Sequence, residues 1–79
     1  MIKLLLNTTQ NAALFVNTCC KYDEDIDYKS GRFILDAKSF LGVISVPLDR
    51  VAYVDIHTDN EATKEQFLND IKLWVIKEA

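Results

Sequence analysis

Apolar residues along this chain recur at two spacings, and each switch between them marks a change of element. Ile2 to Leu6 is a short apolar run closed by Asn7, Thr8 and Thr9, which predicts a first strand. From Gln10 to Tyr22 the spacing lengthens. Ala12, Phe15, Val16, Cys19 and Tyr22 fall on one stripe of an amphipathic helix, with Thr8 or Thr9 as its N-cap. Asp23-Glu24-Asp25 interrupts that pattern. Ile26 and Tyr28 then alternate with Asp27 and Lys29, which predicts a half-buried strand. Ser30-Gly31 reads as a hairpin turn, because glycine takes positive φ at no steric cost. Arg32 to Ala37 supplies the returning strand, with Phe33 and Leu35 on one face and Ile34 on the other.

Ser39 is expected to cap a short helical segment, Phe40 to Ser45, that is too brief for a full helix and is limited by Pro47. Val51, Tyr53, Val54 and Ile56 give a fourth strand. Thr58 with Glu61 three residues later forms a capping box, Thr58 being the N-cap. The last helix carries Phe67, Leu68, Ile71, Trp74 and Val75 on one stripe, with Lys77 at its negative end. The order is β-α-β-β-(short α)-β-α. It predicts an α+β open-faced sandwich, a four-stranded antiparallel sheet covered on one face by helices. With 79 residues and no linker or repeat, residues 1–79 are expected to form one domain.

Composition narrows the function classes. The net charge of −3 and nine singly scattered Lys and Arg residues oppose a phosphate backbone, so no nucleic-acid partner is expected. No apolar run is long enough to span a bilayer, and the first residues do not resemble a secretory signal. The expectation is a cytoplasmic protein with no membrane partner. Cys19 and Cys20 are adjacent, which disfavours a disulfide, and both read as small core-facing residues in a reducing compartment.

Catalytic chemistry is sparse. His57 is the one histidine; Asp55 is assigned to the opposite strand face and Asp59 to a helix start, so no acid–base pair is expected beside it. The acidic run Asp23, Glu24, Asp25 and Asp27 lacks the mid-loop glycine and terminal glutamate of a calcium loop, and no metal is expected. Gly31 and Gly42 are too far apart to cradle phosphate, and no cofactor is expected. The chain reads as a non-enzyme.

One stretch carries specific information. From Lys21, KYDEDIDYKSGRFILDAKSFLGVISVPL resembles the histidine-containing phosphocarrier protein, HPr, of the bacterial sugar phosphotransferase system. The most specific block is Ala37 to Val46, AKS followed by two apolar residues, glycine, two apolar residues, serine and an apolar residue. The resemblance spans roughly Ile2 to Ile76, and its element order is the one derived above. It implies an HPr-like fold and a protein partner: a phosphotransferase-system enzyme, a kinase or a regulator.

The family's active loop, G-[IL]-H-[AT]-R-P-A, is where the match fails. Continuing the alignment without gaps puts Thr8 at the phosphate-accepting histidine, Gln10 at the arginine and Asn11 at the proline, with several loop residues missing. A threonine hydroxyl without a base is no substitute for imidazole, so a degenerate member is expected, without phosphotransfer at this loop. The resemblance also implies that Ser39 is a candidate for phosphorylation by an ATP-dependent HPr kinase. It further implies that Phe40, Leu41 and Ile44 are partner-docking residues, two of which would be largely exposed. The leading reading is thus a regulatory or partner-binding module. The alternatives are a working phosphocarrier with an unrecognised site and an orphan structural domain.

Overall fold

The computed structural model describes residues 1–76. The element order is β1 (Ile2–Leu4), α1 (Thr9–Cys19), β2 (Ile26–Ser30), β3 (Phe33–Asp36), α2 (Phe40–Ile44), β4 (Ala52–Ile56) and α3 (Glu61–Asp70). The four strands form one antiparallel sheet in the order β1-β4-β2-β3. Alternation places Leu4, Ile26, Tyr28, Ala52, Val54 and Ile56 on the buried face. Helix residues Ala12, Phe15, Val16, Cys19, Val43 and Phe67 complete the core. This is the expected open-faced α+β sandwich.

The first strand is shorter than the apolar run suggested, because Asn7 adopts a left-handed φ of 69° and turns the chain. Asparagine tolerates that conformation better than branched residues do. The turn is tied down by Asn7 N–H donating to the Leu48 carbonyl (2.8 Å) and by Asn11 Nδ2 donating to the Leu6 carbonyl (2.8 Å). Thr8 then caps α1, its Oγ1 accepting the Asn11 N–H at 3.1 Å. The predicted stripe is buried from Ala12 to Cys19. Tyr22 lies past the helix end yet stays in the core, edge-on to Phe67 at 5.3 Å with its hydroxyl donating to Asp70 Oδ2 at 2.6 Å.

The hairpin turn is displaced by one residue from its expected place. Ser30 ends β2, buried and paired with Phe33, and the turn residues are Gly31 (φ 59°) and Arg32. The fourth strand forms as expected, over Ala52–Ile56, and its alternation settles which side chains face the core. Ala52, Val54 and Ile56 point inward, while Val51 and Tyr53 are exposed.

The third helix departs further. Its N-cap is Asn60, whose Oδ1 accepts the Thr63 N–H at 3.1 Å, rather than Thr58. Thr58 Oγ1 instead accepts the Asn60 N–H at 3.1 Å and shapes the approach to the helix. Glu61 is the first helical residue, so it cannot close the expected box. The helix stops at Asp70. Ile71 and Trp74 reach the core from a turn, Leu68 is exposed, and Val75 bridges to Leu4. Leu5 N–H donates to the Trp74 carbonyl and Ile76 N–H to the Lys3 carbonyl, both at 2.9 Å. The outer edge of β1 is thereby covered. Lys77, expected at the helix end, lies outside the described residues.

Candidate functional site

Two helix starts hold the residues singled out in the sequence. At α1, Thr8 and Gln10 are both exposed. The Thr8 hydroxyl serves the Asn11 N–H, and the loop before it is pulled onto the segment after α2 by the Asn7–Leu48 bond. No imidazole, thiol or amine stands in the residues from Leu5 to Asn11.

At α2, Ser39 has extended backbone (φ −102°, ψ 105°), and its Oγ accepts the Gly42 N–H at 3.2 Å. The expected cap is present. The fit at Gly42 is close: a Cβ built there would lie 3.2 Å from Ser39 Oγ and 3.4 Å from Ser39 Cβ, so a larger residue there needs Ser39 to give by a few tenths of an ångström. Around Ser39, Lys38 Nζ donates to the Tyr22 carbonyl at 2.6 Å, and Asp36 Oδ1 accepts the Lys38 N–H at 2.9 Å.

Only Val43 of α2 is fully buried. Leu41 is 76% exposed, Phe40 is 38% exposed and Ile44 is half-buried against the core. Leu41 therefore projects fully, Phe40 partly and Ile44 least. The helices α1 and α2 pack side by side and run antiparallel. Cys20, just past the end of α1, lies against the Lys38 carbonyl (3.7 Å), while Asn7, before its start, meets Leu48. Thr8 and Ser39 thus stand at opposite ends of a helix about 16 Å long. They do not converge into one site.

The adjacent cysteines divide. Cys19 is buried, and burial is the main cause that pushes its thiol up to about 12. Cys20 is exposed, which corrects the expectation that both face the core. Among the described residues, neither is placed beside a histidine.

His57 does acquire an acidic partner, which reasoning along the chain missed. Its Nε2 lies 2.8 Å from Asp27 Oδ2, a residue thirty positions earlier that β2–β4 pairing brings alongside. Asp55, two residues before His57, shares its side of the chain rather than opposing it. The imidazole is exposed; the Asp27 hydrogen bond, and then the charges of Asp27, Asp55 and Asp25, raise its pKa from the ordinary value. Asp27 lies in β2 and His57 just past the end of β4, so only the strand register brings them together. The arrangement favours the protonated imidazole. Its surroundings are acidic.

No protein-family model matches the chain, and no curated protein is similar to it in sequence. Solved structures do match. The fold superposes on HPr-C-His from Thermoanaerobacter tengcongensis with a TM-score of 0.69 at 25% identity, over 89% of this chain and 86% of that one. It also superposes on the catabolite repression containing protein Crh of Bacillus subtilis, which was crystallised as a domain-swapped, intertwined dimer. There the TM-score is 0.65 at 19% identity, over 98% of this chain and 90% of that one. The chain has an HPr-like fold.

Proposed function

We propose that this chain is a cytoplasmic partner-binding module on a phosphocarrier fold, and that it does not carry phosphate at the loop before α1. The supporting observation is the contrast between the two helix starts. The Thr8 hydroxyl caps a helix in a loop whose residues, Leu5 to Asn11, include no base, whereas Ser39 caps a helix whose next residues, Phe40 partly and Leu41 fully, face solvent. A hydroxyl whose pKa lies far above neutrality needs a base to become a nucleophile, and Gln10 is not one. The Ser39 to Ile44 surface is then the docking site, with Phe40, Leu41 and Ile44 as its apolar anchors.

Ser39 is its regulatory position. Phosphorylation adds about −1.5 to −2 charge and three acceptor oxygens. At this position the charge lies over the N–H groups that open α2 and beside an apolar anchor, so the modified surface suits a partner that offers arginine next to a hydrophobic pocket. The partner in this reading is an enzyme, kinase or regulator of the bacterial sugar phosphotransferase system, and the chain itself catalyses nothing. Phosphotransfer through His57 is the weaker alternative, because Asp25, Asp27 and Asp55 repel an approaching phosphoryl donor.

The test is intact mass after two incubations, one with phosphoenolpyruvate and enzyme I and one with ATP and HPr kinase. The expected result is no phosphate from the first, and one acid-stable phosphate from the second that Ser39→Ala abolishes. An acid-labile phosphate in the first reaction, lost in His57→Ala or persisting without it, overturns the denial of phosphotransfer. No phosphate in either reaction, with no binding to a phosphotransferase-system protein, favours the orphan structural domain.

A further inference from the structure

The two edges of the sheet are treated differently. The outer edge of β1 is occupied by residues 74–76, whereas β3 carries no covering segment among the described residues. Natural sheets blunt an open edge by shortness, edge charges, proline, a bulge or an inward charge; β3 is four residues long and ends at Asp36, but carries no proline, bulge or inward charge. Instead it displays Phe33 at 58% and Ile34 at 66% exposure.

The pattern of hydrogen bonding fixes which backbone groups face outward. Ala37 N–H donates to the Ile26 carbonyl at 2.9 Å, so that opposed pair is hydrogen-bonded. Bonded and non-bonded pairs alternate along an antiparallel ladder. Leu35 and Phe33 therefore bond to Tyr28 and Ser30, while Ile34, opposite Lys29, points its N–H and C=O away from β2. Ile34 is the midpoint of Arg32-Phe33-Ile34-Leu35-Asp36, a segment whose ends carry opposite charges.

We propose that the β3 edge pairs with the β3 edge of a second copy of this chain, antiparallel and centred on Ile34. In that register each Ile34 both donates to and accepts from its copy, which uses the groups left free. Phe33 falls opposite Leu35 on the helix side of the sheet. Ile34 falls opposite Ile34 on the open side, and Arg32 stands opposite Asp36 at both ends. A shift by one residue turns outward groups against inward ones and loses both charge pairs. At Asp36 the carbonyl is taken by the Ser39 N–H (3.0 Å) and Oδ1 by the Lys38 N–H, leaving the Asp36 N–H and Oδ2 for Arg32. The result is an eight-stranded sheet across a two-fold axis. Its interface is a single strand with two apolar anchors per copy, smaller than that of an obligate dimer, so association is concentration-dependent. It leaves the Ser39 to Ile44 surface available and does not depend on the function proposed for it.

Sedimentation of the whole chain over a range of concentrations tests this, with two variants. Ile34→Pro removes an N–H that β2 does not use and is expected to weaken the dimer on the order of tenfold to a hundredfold. Ile34→Lys leaves the backbone intact and sets two ammonium groups against each other; it too should leave monomer, with the thermal transition retained. A third reading is positional. In a Cys20→Ser background, Ile34→Cys copies stand about 5.5 Å apart at Cα, within disulfide reach. They should therefore cross-link far faster than Leu41→Cys copies. A wild-type chain that sediments as monomer up to its solubility limit overturns the proposal. So does a dimer that both Ile34 variants leave unchanged, or cross-linking equal at positions 34 and 41.

Discussion

Thr8 and Ser39 perform the same local task in very different company. Each is a hydroxyl in extended backbone that accepts the N–H three residues on, at 3.1 Å and 3.2 Å. Behind Thr8 stands an eleven-residue helix with four buried residues, entered through a loop tied to the neighbouring segment. Behind Ser39 stands a five-residue helix with one buried residue and an exposed leucine. One cap secures a structural element. The other sits at the edge of a thinly anchored patch, where changes of charge are felt by whatever docks there. Identical capping chemistry therefore says nothing about function; the burial behind the cap does.

The largest test of that contrast removes the anchors. Phe15→Ala should cost about 3–5 kcal/mol of global stability in urea denaturation. Val43→Ala should cost about 2 kcal/mol and speed amide exchange mainly in α2. Equal, global effects would erase the distinction between the two helices. The caps come next. Thr8→Ala and Ser39→Ala should each cost about 1 kcal/mol, while Ser39→Asp should be close to neutral because a carboxylate also caps and suits the helix N-terminus.

A smaller effect probes the close approach at Gly42. Alanine is the better helix former by up to about 1 kcal/mol, but its Cβ meets Ser39 Oγ at 3.2 Å. Gly42→Ala should therefore gain little alone and more in Ser39→Ala, a coupling of about 0.5 kcal/mol or more in a double-mutant cycle. Additivity would deny that the two side chains compete for one space. The gentlest effect concerns protons, since neither capping hydroxyl titrates near neutrality. The His57 pKa is raised in the folded chain, chiefly by the Asp27 hydrogen bond. The pair's contribution is then full below the unfolded value of about 6.5 and fades as pH rises through the folded value. In Asp27→Asn, the imidazole titration followed by NMR should move back towards the ordinary value.

Much of the fold was legible because it rests on local periodicity. The stripe from Ala12 to Cys19, the caps at Thr8 and Ser39, and the turn glycine all depend on neighbours within a few residues. What was missed shares another cause. In β4, a run with apolar residues at both 53 and 54 does not say which face is inward; Ala52 inside and Tyr53 outside follow from what lies above and below the sheet. Asn60 rather than Thr58 starts α3 because two capping residues stand close together, and the spacing of Glu61 favoured the wrong one. Trp74 reaches the core from a turn, although its spacing from Ile71 imitates a helix. The His57–Asp27 pair depended on register, a property of two strands and visible in neither alone. At the candidate site, Ser39 and its cap were readable, but the unequal exposure of Leu41, Phe40 and Ile44 required the packing of a helix too short to show a period.

The cover over β1 has a consequence in time. The partners of Ile2 to Leu4 are β4 on one side and residues 74–76 on the other, so this strand is flanked only by late parts of the chain. The β2–β3 hairpin and α1, by contrast, are held by pairings between near neighbours in the chain. Distant pairings such as those of β1 carry a loop-closure cost before they return any stabilisation, which slows the step that makes them. Among the four strands, β1 is thus the one whose two flanks both lie far along the described chain.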